Sequence, residues 1–449
     1  MARVEANPTG RGRALLLLAL FGLGLVCLAV PAAAESGVTL EWVRRFGGPA
    51  KASDYPTALK VDGQGNVYVA GGFDNGNHNM DYLTIKYNPT GKRLWMRRYK
   101  PPGGTNSWLA AMALDAEGNI YVTGRMAPKS RRSVWDCTTI KYNPDGRRIW
   151  VRSYNGLGNG EDYANAIAVD GQGNIIVAGS SWSGTAMDYL TIKYSPDGKR
   201  LWVRRYNNPD TPQNEARSIT IDSQGNVFVF GLSWDPNNSN DFLTIIKYNP
   251  EGRQLWVASS QEPGKNIHDR PRYYTKAKAL AVDPQGNVFV SGGSNGYFLT
   301  IKYNPEGQVL WSHTDKMEGY GGPEALAVDS HGNVLVAGGR NTIKYNTDGQ
   351  LLWLKDPGFS ILAMALDTPG NVYVTGGGFF TLWYSPEGEE LWVHQFLGPG
   401  YGYYSYYGQA IAVDVQGHVY VTGYNWYNSS GPDSDFFTLK YLQSPREGP

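Results

Sequence analysis

The chain has 449 residues, with 56 Gly, 30 Tyr and 14 Trp, and only 18% of its residues are charged. This profile is typical of an all-β protein that is rich in turns and aromatic side chains. The 41 basic and 40 acidic residues leave a formal charge of +1, so no net field favours binding to nucleic acid or to an anionic membrane. A hydrophobic fraction of 41% excludes a globally disordered chain.

The first 34 residues differ from the rest. Three arginines precede an apolar run from Ala14 to Val30, which leads into Ala32-Ala33-Ala34. A basic head, an apolar middle and an A-x-A end predict a signal peptide over 1–34, with cleavage after Ala34. The alternative is an uncleaved anchor, because a run of about 17 apolar residues approaches the length of a membrane span. We expect cleavage, no membrane span afterwards, and a protein that is secreted, periplasmic or at the cell surface.

The remaining residues, 35–449, repeat one unit of four short strands. The first full copy places its strands at Ala58–Val61, Val67–Ala70, Asp81–Tyr87 and Leu94–Tyr99. A D-x-x-G-N turn joins strands one and two, and an N-P-x-G turn joins strands three and four. In both turns glycine supplies the positive φ that a tight connection needs. An extra residue in Thr244–Tyr248 predicts a β-bulge in the fourth copy.

Two features occur eight times each. The first turn begins at Asp62, Asp115, Asp170, Asp222, Asp283, Asp329, Asp367 and Asp414. A fourth-strand tryptophan recurs at Trp42, Trp95, Trp150, Trp202, Trp256, Trp311, Trp353 and Trp392. Small residues on strand one and bulky ones on strand four suit the axis and rim of a radial array. We therefore expect these tryptophans to pack between neighbouring sheets.

The two ends of the repeat predict how the array closes. The last copy stops after its third strand, at Tyr441, whereas the N-terminal part supplies an orphan fourth strand around Trp42. Pairing the two strands hides two exposed edges. The sequence therefore predicts an all-β fold that is a single eight-bladed β-propeller, with four antiparallel strands in each blade.

The repeated segments resemble the bacterial β-propeller repeats called SBBP repeats, found in exported and surface proteins. The resemblance covers approximately Thr39 to Tyr441 and implies a fold but no shared catalytic residues. The strand–turn–strand from Ser195 to Trp202 also resembles the tryptophan-docked propellers of quinoprotein dehydrogenases and of outer-membrane assembly lipoproteins. The quinone site of those dehydrogenases uses adjacent cysteines, which this chain lacks, so no cofactor is expected. Cys137 is interpreted as a buried apolar residue.

In such a fold the short turns share one face, here called the turn face. The variable loops share the opposite face, the loop face, where function is expected. Exposed Tyr and Trp beside Asn, Ser and Gly can stack on sugars or pack against peptides. The predicted ligand-binding residues, which could instead simply pack on each other, are Trp108, Trp182, Trp234, Tyr404, Tyr407, Trp426 and Tyr427.

The sequence favours an exported, non-catalytic module that recognises an extracellular glycan or protein and is a monomer. One alternative is a polysaccharide lyase or hydrolase with an acid/base set at the propeller mouth; its candidate residues are His78, His268, Asp269 and Tyr273. A second alternative is a structural part of a cell-envelope assembly. No metal site is expected, because no histidine pair has ligand spacing and the aspartates that open strand three are interpreted as loop caps. Tandem arginines on strand four are interpreted as a solvated, charged edge.

Overall fold

The computed structural model describes residues 38–48, 53–74, 79–100, 106–128, 134–234, 241–261, 276–293, 297–317, 321–398, 404–427 and 434–443. Every regular element in these ranges is a β-strand, which confirms the all-β class. None of the described residues forms a helix long and apolar enough to cross a membrane. The signal peptide predicted over 1–34 lies outside the described ranges.

The strands fall into four-stranded units. The first four units comprise β2 (Tyr55–Val61), β3 (Val67–Asp74), β4 (Met80–Tyr87), β5 (Arg93–Tyr99); β6 (Ser107–Leu114), β7 (Ile120–Met126), β8 (Asp136–Tyr142), β9 (Arg148–Tyr154); β10 (Asp162–Val169), β11 (Ile175–Trp182), β12 (Met187–Tyr194), β13 (Arg200–Tyr206); and β14 (Gln213–Ile221), β15 (Val227–Trp234), β16 (Asp241–Tyr248), β17 (Gln254–Gln261).

The later units comprise β18 (Lys276–Val282), β19 (Val288–Gly293), β20 (Tyr297–Tyr303), β21 (Val309–Lys316); β22 (Pro323–Val328), β23 (Val334–Gly338), β24 (Asn341–Tyr345), β25 (Leu351–Lys355); β26 (Ile361–Leu366), β27 (Val372–Gly376), β28 (Phe380–Tyr384), β29 (Glu390–Gln395); and β30 (Tyr404–Val413), β31 (Val419–Tyr427), β32 (Phe436–Gln443) with β1 (Val38–Phe46). The units are numbered one to eight in this order.

Within each unit the strands pair antiparallel with their neighbours in the chain. The third and fourth units are additionally connected through one parallel bridge between Met187 and Gln213. The eighth unit has the order β1-β32-β31-β30, so its outer strand comes from the N-terminal end of the described chain. The predicted pairing of the orphan strand is therefore present, with Trp42 opposite Lys440.

The aspartate turn works as its residue types indicate. Asp62 Oδ1 accepts the backbone N–H groups of Gln64 and Asn66 at 2.9 Å each. Its Oδ2 accepts the Asn66 amide at 2.8 Å and the Tyr68 hydroxyl at 2.9 Å. Gly65 takes a φ of 76°, a conformation that glycine adopts without strain. The aspartate is thus a structural part of the turn.

In seven of the eight units the fourth-strand tryptophan donates a hydrogen bond to a turn of the next unit, whereas Trp392 of the seventh unit packs on Tyr441. Trp95 donates its indole N–H to Pro144 O at 2.9 Å, and Lys86 donates to the same carbonyl at 3.3 Å. A Cβ on Gly146 would lie 2.7 Å from the Trp95 ring, so the turn needs glycine for close approach as well as for φ. The indole contact recurs at 2.9–3.1 Å from Trp42, Trp150, Trp202, Trp256, Trp311 and Trp353. The predicted packing role is confirmed.

The core is divided among the junctions between units. In the described residues, eight clusters of buried apolar side chains each span two consecutive units. One of them joins the eighth unit to the first: Trp42 and Phe436 pack with Leu59 and Val69. No single unit can bury its own faces, so the stability of each depends on its neighbours.

The tandem arginines differ from the expected solvated edge. The first of each pair binds the next unit, as when Arg97 Nε donates to Gly146 O at 2.6 Å. The second pairs with the aspartate that opens strand three of its own unit. Arg205 Nε lies 3.0 Å from Asp188 Oδ2, and Arg98 contacts Asp81 in the same way. These arginines hold the rim together, and the aspartates are their partners.

One departure from the repeat, in the seventh unit, is explained by the way the eighth unit takes its fourth strand from the other end of the described chain. Trp383 stands where the other third strands carry lysine, and it stacks on Tyr373 at 5.7 Å between centroids. The lysines elsewhere donate to the turn that joins strands three and four of the next unit. In the eighth unit, β32 pairs with β1 across the chain ends, so no such turn connects them. An apolar ring therefore replaces a lysine where its usual acceptor turn does not exist.

The extra residue in Thr244–Tyr248 adds no bulge of its own to the fourth unit. β15 and β16 pair without interruption from Val227–Tyr248 to Trp234–Asp241. The extra residue shifts the start of the strand instead, so that Thr244 takes the place held by Leu190 in the third unit, opposite a glycine. On its other side, β16 has a register shift against β17 between Lys247 and Tyr248. The first to seventh units all have a shift at this position, so the predicted cause of the bulge is wrong.

A buried carboxyl at the junction of the first and eighth units predicts a pH dependence. The pKa of Asp54 is raised to about 6, mainly because the carboxyl is buried and also because of the nearby charge of Asp435. Hydrogen bonds from the backbone of Gly48 and Asp74 act in the opposite direction and lower the pKa. Because the unfolded carboxyl titrates near 3.8, folding takes up a proton between these values, and stability falls as the pH rises through 6. We expect Asp54→Asn to remove this fall when melting temperatures are compared at pH 4.5 and 7.5.

The control for that measurement is Asp348→Asn, on an exposed turn. The amide that Asp54→Asn introduces has a single acceptor oxygen for the two backbone hydrogen bonds, which lowers stability at every pH. The test is therefore the slope of melting temperature against pH. An unchanged slope between pH 4.5 and 7.5 would show that Asp54 is not the group that titrates.

Candidate functional site

A cavity of about 790 Å³ opens where the first strands of six units converge. Its lining residues lie near the beginnings of β2, β6, β10, β14, β18 and β30 and near the end of β31. These positions are at the ends of the strands away from the aspartate turns, which is the loop face. We call it the first-strand cavity.

A repeated irregularity of the backbone supplies much of this lining. In each first strand the register slips at the residue that lies five before the turn aspartate, so that residue has no pairing partner. Such bulges redirect a side chain out of the regular alternation. The eight residues at this position are Thr57, Ala110, Asn165, Arg217, Lys278, Glu324, Leu362 and Gln409.

Polar groups in the lining hold one another in fixed positions. Asn165 donates to Glu215 Oε1 at 3.1 Å and to Ala216 O at 2.9 Å, connecting the third and fourth units. Glu215 Oε2 accepts from Arg217 at 2.9 Å. On the fifth unit, Lys278 reaches a carboxylate of the sixth, Glu324, at 3.5 Å. The carboxylates of the lining are thus engaged in ion pairs, and the amides retain free hydrogen-bonding capacity.

Trp108 is an exposed aromatic residue held from beneath. Its side chain is 53% exposed and lies on one side of the cavity. The Arg125 guanidinium lies 5.8 Å from the Trp108 ring centroid, 5.0 Å from that of Trp135 and 4.8 Å from that of Tyr163. Cation–π contacts of this kind fix ring orientation, so Trp108 presents a preorganised apolar face to the cavity.

A second aromatic group lines the cavity from the first and eighth units. Trp426, 46% exposed, stacks on Tyr55 with centroids 6.1 Å apart and an interplanar angle of 24°. Tyr424 meets Tyr55 edge-on at 5.4 Å and stacks with Tyr407 at 5.5 Å. The lining therefore combines aromatic side chains from the eighth, first and second units with polar side chains that lie mainly on the third to fifth.

The predicted ligand-binding residues divide into three groups. Trp108 and Trp426 line the cavity, and Tyr407 supports it through Tyr424. Trp182 packs on the preceding loop, where a Cβ on Gly160 would lie 2.3 Å from its ring. Trp234 is half-buried against the core between the fourth and fifth units. Neither of these last two contributes to the lining.

The side chains of the other predicted residues lie outside the described part of the chain. Tyr404 and Tyr427 belong to β30 and β31, and their side chains lie outside the described residues. The same holds for every candidate of the enzyme alternative: His78, His268, Asp269 and Tyr273. These assignments remain predictions.

Metal and thiol chemistry have little support in the described part of the chain. No cluster of three His, Cys, Asp or Glu side chains there is placed to hold a metal ion. Cys137 is 1% exposed, and burial raises the pKa of its thiol, which makes it a poor nucleophile. The interpretation of Cys137 as a buried apolar residue agrees with this placement.

Comparison of the units could have found the residues that sequence reasoning missed. Asn165, Glu215, Arg217, Lys278 and Gln409 all line the cavity, and none of them belongs to an aromatic loop. Four of the five occupy the bulged position, which changes from unit to unit while the residues after it stay small or aliphatic. A changing position inside a repeated strand indicates a role that the fold does not require.

Two family models match the chain. Residues 41–71 match a model described as a β-propeller repeat, and residues 81–304 match one described as outer membrane protein assembly factor BamB. A curated relative, an uncharacterised WD repeat-containing protein of Acanthamoeba polyphaga mimivirus, is 22% identical over 296 residues. That match covers 58% of this chain but 21% of the relative, so the chain spans about a fifth of the relative's length.

Solved structures show similar folds at low identity. The periplasmic gluconolactonase of Pseudomonas aeruginosa aligns with a TM-score of 0.47 and 15% identity, over 76% of this chain and 96% of that one. Chaetomium thermophilum Raptor aligns with a TM-score of 0.49 and 10% identity, over 88% of this chain and 30% of that one. Likeness at this level does not indicate function. Together with the repeated four-stranded antiparallel sheets, the family matches identify the chain as a β-propeller repeat protein.

Proposed function

We propose that the chain is an exported, non-catalytic binding module that recognises an extracellular glycan in the first-strand cavity. The observation that carries the proposal is the pair of solvent-open indoles, Trp108 and Trp426, both in the lining of one cavity. Large aromatic faces left open to water usually mark a binding site. Sugars present C–H faces that pack on such rings and hydroxyls that pair with amides, here those of Asn165 and Gln409.

We also infer that the units are the eight blades of a closed ring, with the first-strand cavity at its axis on the loop face. Support comes from the Trp42 indole, which reaches from the last unit to Pro89 O of the first at 3.0 Å. Lys440 donates to the same carbonyl at 3.2 Å. The core cluster that joins the eighth and first units packs a fourth-strand tryptophan against aliphatic and aromatic side chains, as the clusters at other junctions do.

The size and rigidity of the cavity favour a glycan over a flat protein surface. A volume of about 790 Å³ is within the range of small-molecule and cofactor sites. The ion pair of Arg217 with Glu215 is already formed, and Trp108 is already held by Arg125, so a ligand orders few side chains on binding. A protein partner that entered this recess would need a projecting loop.

Loss of the two indoles is expected to abolish most of the affinity. We expect Trp108→Ala or Trp426→Ala to weaken glycan binding by about 2 kcal/mol each, or about 30-fold in Kd. The matched control is Trp182→Ala, which removes an indole from the loop face outside the cavity. A glycan array probed with the mature protein would first identify the ligand, and calorimetry would then measure each variant.

The outcome against this proposal is equally specific. Equal losses from Trp108→Ala and Trp182→Ala would place the ligand elsewhere on the loop face. An array without any bound glycan would leave a protein partner as the ligand. Monomeric state, export and the cell-surface or periplasmic location belong to the same proposal.

A role in cell-envelope assembly is the second candidate, favoured by one observation. The model that matches residues 81–304 is described as an outer membrane protein assembly factor. Such a role would use the rim or loop face to hold another envelope protein. Cross-linking in intact cells, followed by identification of a single stable envelope partner whose capture survives Trp108→Ala, would favour assembly over glycan binding.

A further inference from the structure

Lys60 is a charged residue at a position that the other units fill with small side chains. It lies on β2, two residues before the turn aspartate Asp62. The equivalent residues in units two to eight are alanines or threonine: Ala113, Ala168, Thr220, Ala281, Ala327, Ala365 and Ala412. The fold thus requires a small residue here in seven units, and packing does not explain a lysine in the first.

Two properties of Lys60 indicate that it faces an enclosed space. Its side chain is exposed, yet burial within the protein lowers the pKa of its ammonium. A lysine on the outer surface would be exposed and fully hydrated, so a group that is both exposed and desolvated faces an enclosed space. β2 is the first strand of its unit and contacts the first strands on either side, β6 and β30. In the proposed ring that enclosed space is the channel at the axis.

Lys60 also has no partner in the described part of the chain, where no hydrogen bond or ion pair joins it to another residue. The third-strand lysines behave differently, because Lys86, Lys141 and Lys302 each donate to a carbonyl of the next unit. Nearer the loop face, Arg217 and Lys278 are matched by Glu215 and Glu324. Lys60 therefore lacks the carboxylate partner that Arg217 and Lys278 each have.

We propose that the ligand of the first-strand cavity is an acidic glycan, and that Lys60 binds a sugar carboxylate that reaches into the channel. Lys60 lies three residues from Thr57 in the cavity lining, about 10 Å along the strand, which a short oligosaccharide spans. A desolvated, unpartnered ammonium is unfavourable in the free protein, and a bound carboxylate would remove that penalty. The inference rests on the proposed function, since it names the class of glycan that the same cavity takes.

The test compares acids with their own neutral esters. Hexamers of galacturonate, glucuronate, mannuronate and guluronate, each beside its fully methyl-esterified form, are titrated into the mature protein by calorimetry. At least one acid is expected to bind about 10-fold or more tightly than its ester. Lys60→Ala is expected to remove that preference and leave ester binding unchanged, whereas Lys60→Arg retains most of it.

Stability supplies a second readout that a structural lysine would not give. Because Lys60 is unpaired, Lys60→Ala is expected to raise the melting temperature of the free protein. Affinity for the acid is also expected to fall as the pH rises and Lys60 loses its proton. Because the pKa of Lys60 is lowered, this fall should begin at a lower pH than it would for an ordinary lysine, whose pKa is about 10.4.

Each contrary result has one meaning. If the wild type binds acids and esters equally, the acidic-glycan inference is overturned while glycan binding stands. If Lys60→Ala lowers the melting temperature and leaves the preference for acid intact, Lys60 is structural and the inference is overturned. If the wild type binds neutral sugars on the array but none of the eight hexamers, the inference fails alone; silence towards every glycan overturns the proposed function as well.

Discussion

A protein that begins after Phe46, and so lacks β1, is expected to unfold about 10 °C or more below the full mature chain. The deletion removes the strand that pairs with β32 from Val38–Gln443 to Phe46–Phe436. It also removes Trp42, which is 6% exposed and donates a hydrogen bond to Pro89 O. Loss of one such tryptophan costs about 3–5 kcal/mol, and the exposed edge of β32 adds a risk of aggregation.

The junction contains further contacts that depend on β1. Arg44 Nε donates to Gly91 O at 2.5 Å, and Lys440 lies 2.8 Å from Glu41. Asp435 accepts from Arg45 Nε at 2.8 Å. The contacts of Glu41 and Arg45 hold β1 within the eighth unit, whereas the Arg44 contact joins that unit to the first. Their loss therefore weakens both the eighth unit and its junction with the first. An opened array loses the neighbour contacts of both terminal units.

A peptide supplied in trans distinguishes loss of closure from general damage. A synthetic peptide of residues 38–46 is expected to bind the truncated protein and restore part of the melting temperature, because strand addition supplies the same backbone pairing. The same peptide with Trp42→Ala is the control and should restore much less. Truncation without effect on stability, or equal rescue by both peptides, would contradict the proposed ring closure.

The parts of the fold that could be predicted are those that the repeat encodes locally. Asp62, Gly65 and Trp95 each act through contacts within a turn or with the adjacent unit, so eight copies of one pattern define one geometry. The pairing of β1 with β32 was predictable for a different reason. A missing strand at one end and a surplus strand at the other leave few alternatives that pair every edge.

The parts that could not be predicted depend on the register of strands within a unit and on distances between units. Nothing local to Arg98 or Asp81 shows that they pair, because the contact joins strands three and four at the rim. The bulge that turns Asn165 and Gln409 into the cavity is likewise absent from any turn signal. The aromatic signal selected Trp108 and Trp426, which line the cavity. It gave the same weight to Trp182, whose ring a glycine loop covers and which does not line the cavity.

The largest effect of a single substitution is expected from Trp150→Ala. Trp150 is 6% exposed and joins the second unit to the third by donating to Pro196 O at 3.1 Å. We expect a loss of about 3–5 kcal/mol in the free energy of unfolding, measured by urea titration. Trp150→Phe keeps an aromatic ring, leaves a smaller void than alanine does and loses the N–H. Its loss in the free energy of unfolding should therefore be smaller. Leu157→Ala, at a side chain 89% exposed, is the control and should change stability by less than about 0.5 kcal/mol.

The turn that receives this tryptophan supplies the decisive comparison. Gly198 has a φ of 82°, and an added Cβ would lie 3.0 Å from the Trp150 ring. Gly198→Ala therefore carries backbone strain, a contact with the indole and a contact with the flexible Arg152 guanidinium. The contact with the indole is absent when Trp150 is already alanine. The double variant should be less destabilised than the sum of the two, by about 0.5–3 kcal/mol. Additive effects would mean that the indole does not rest on this glycine, and the same docking at the other units would then be in doubt.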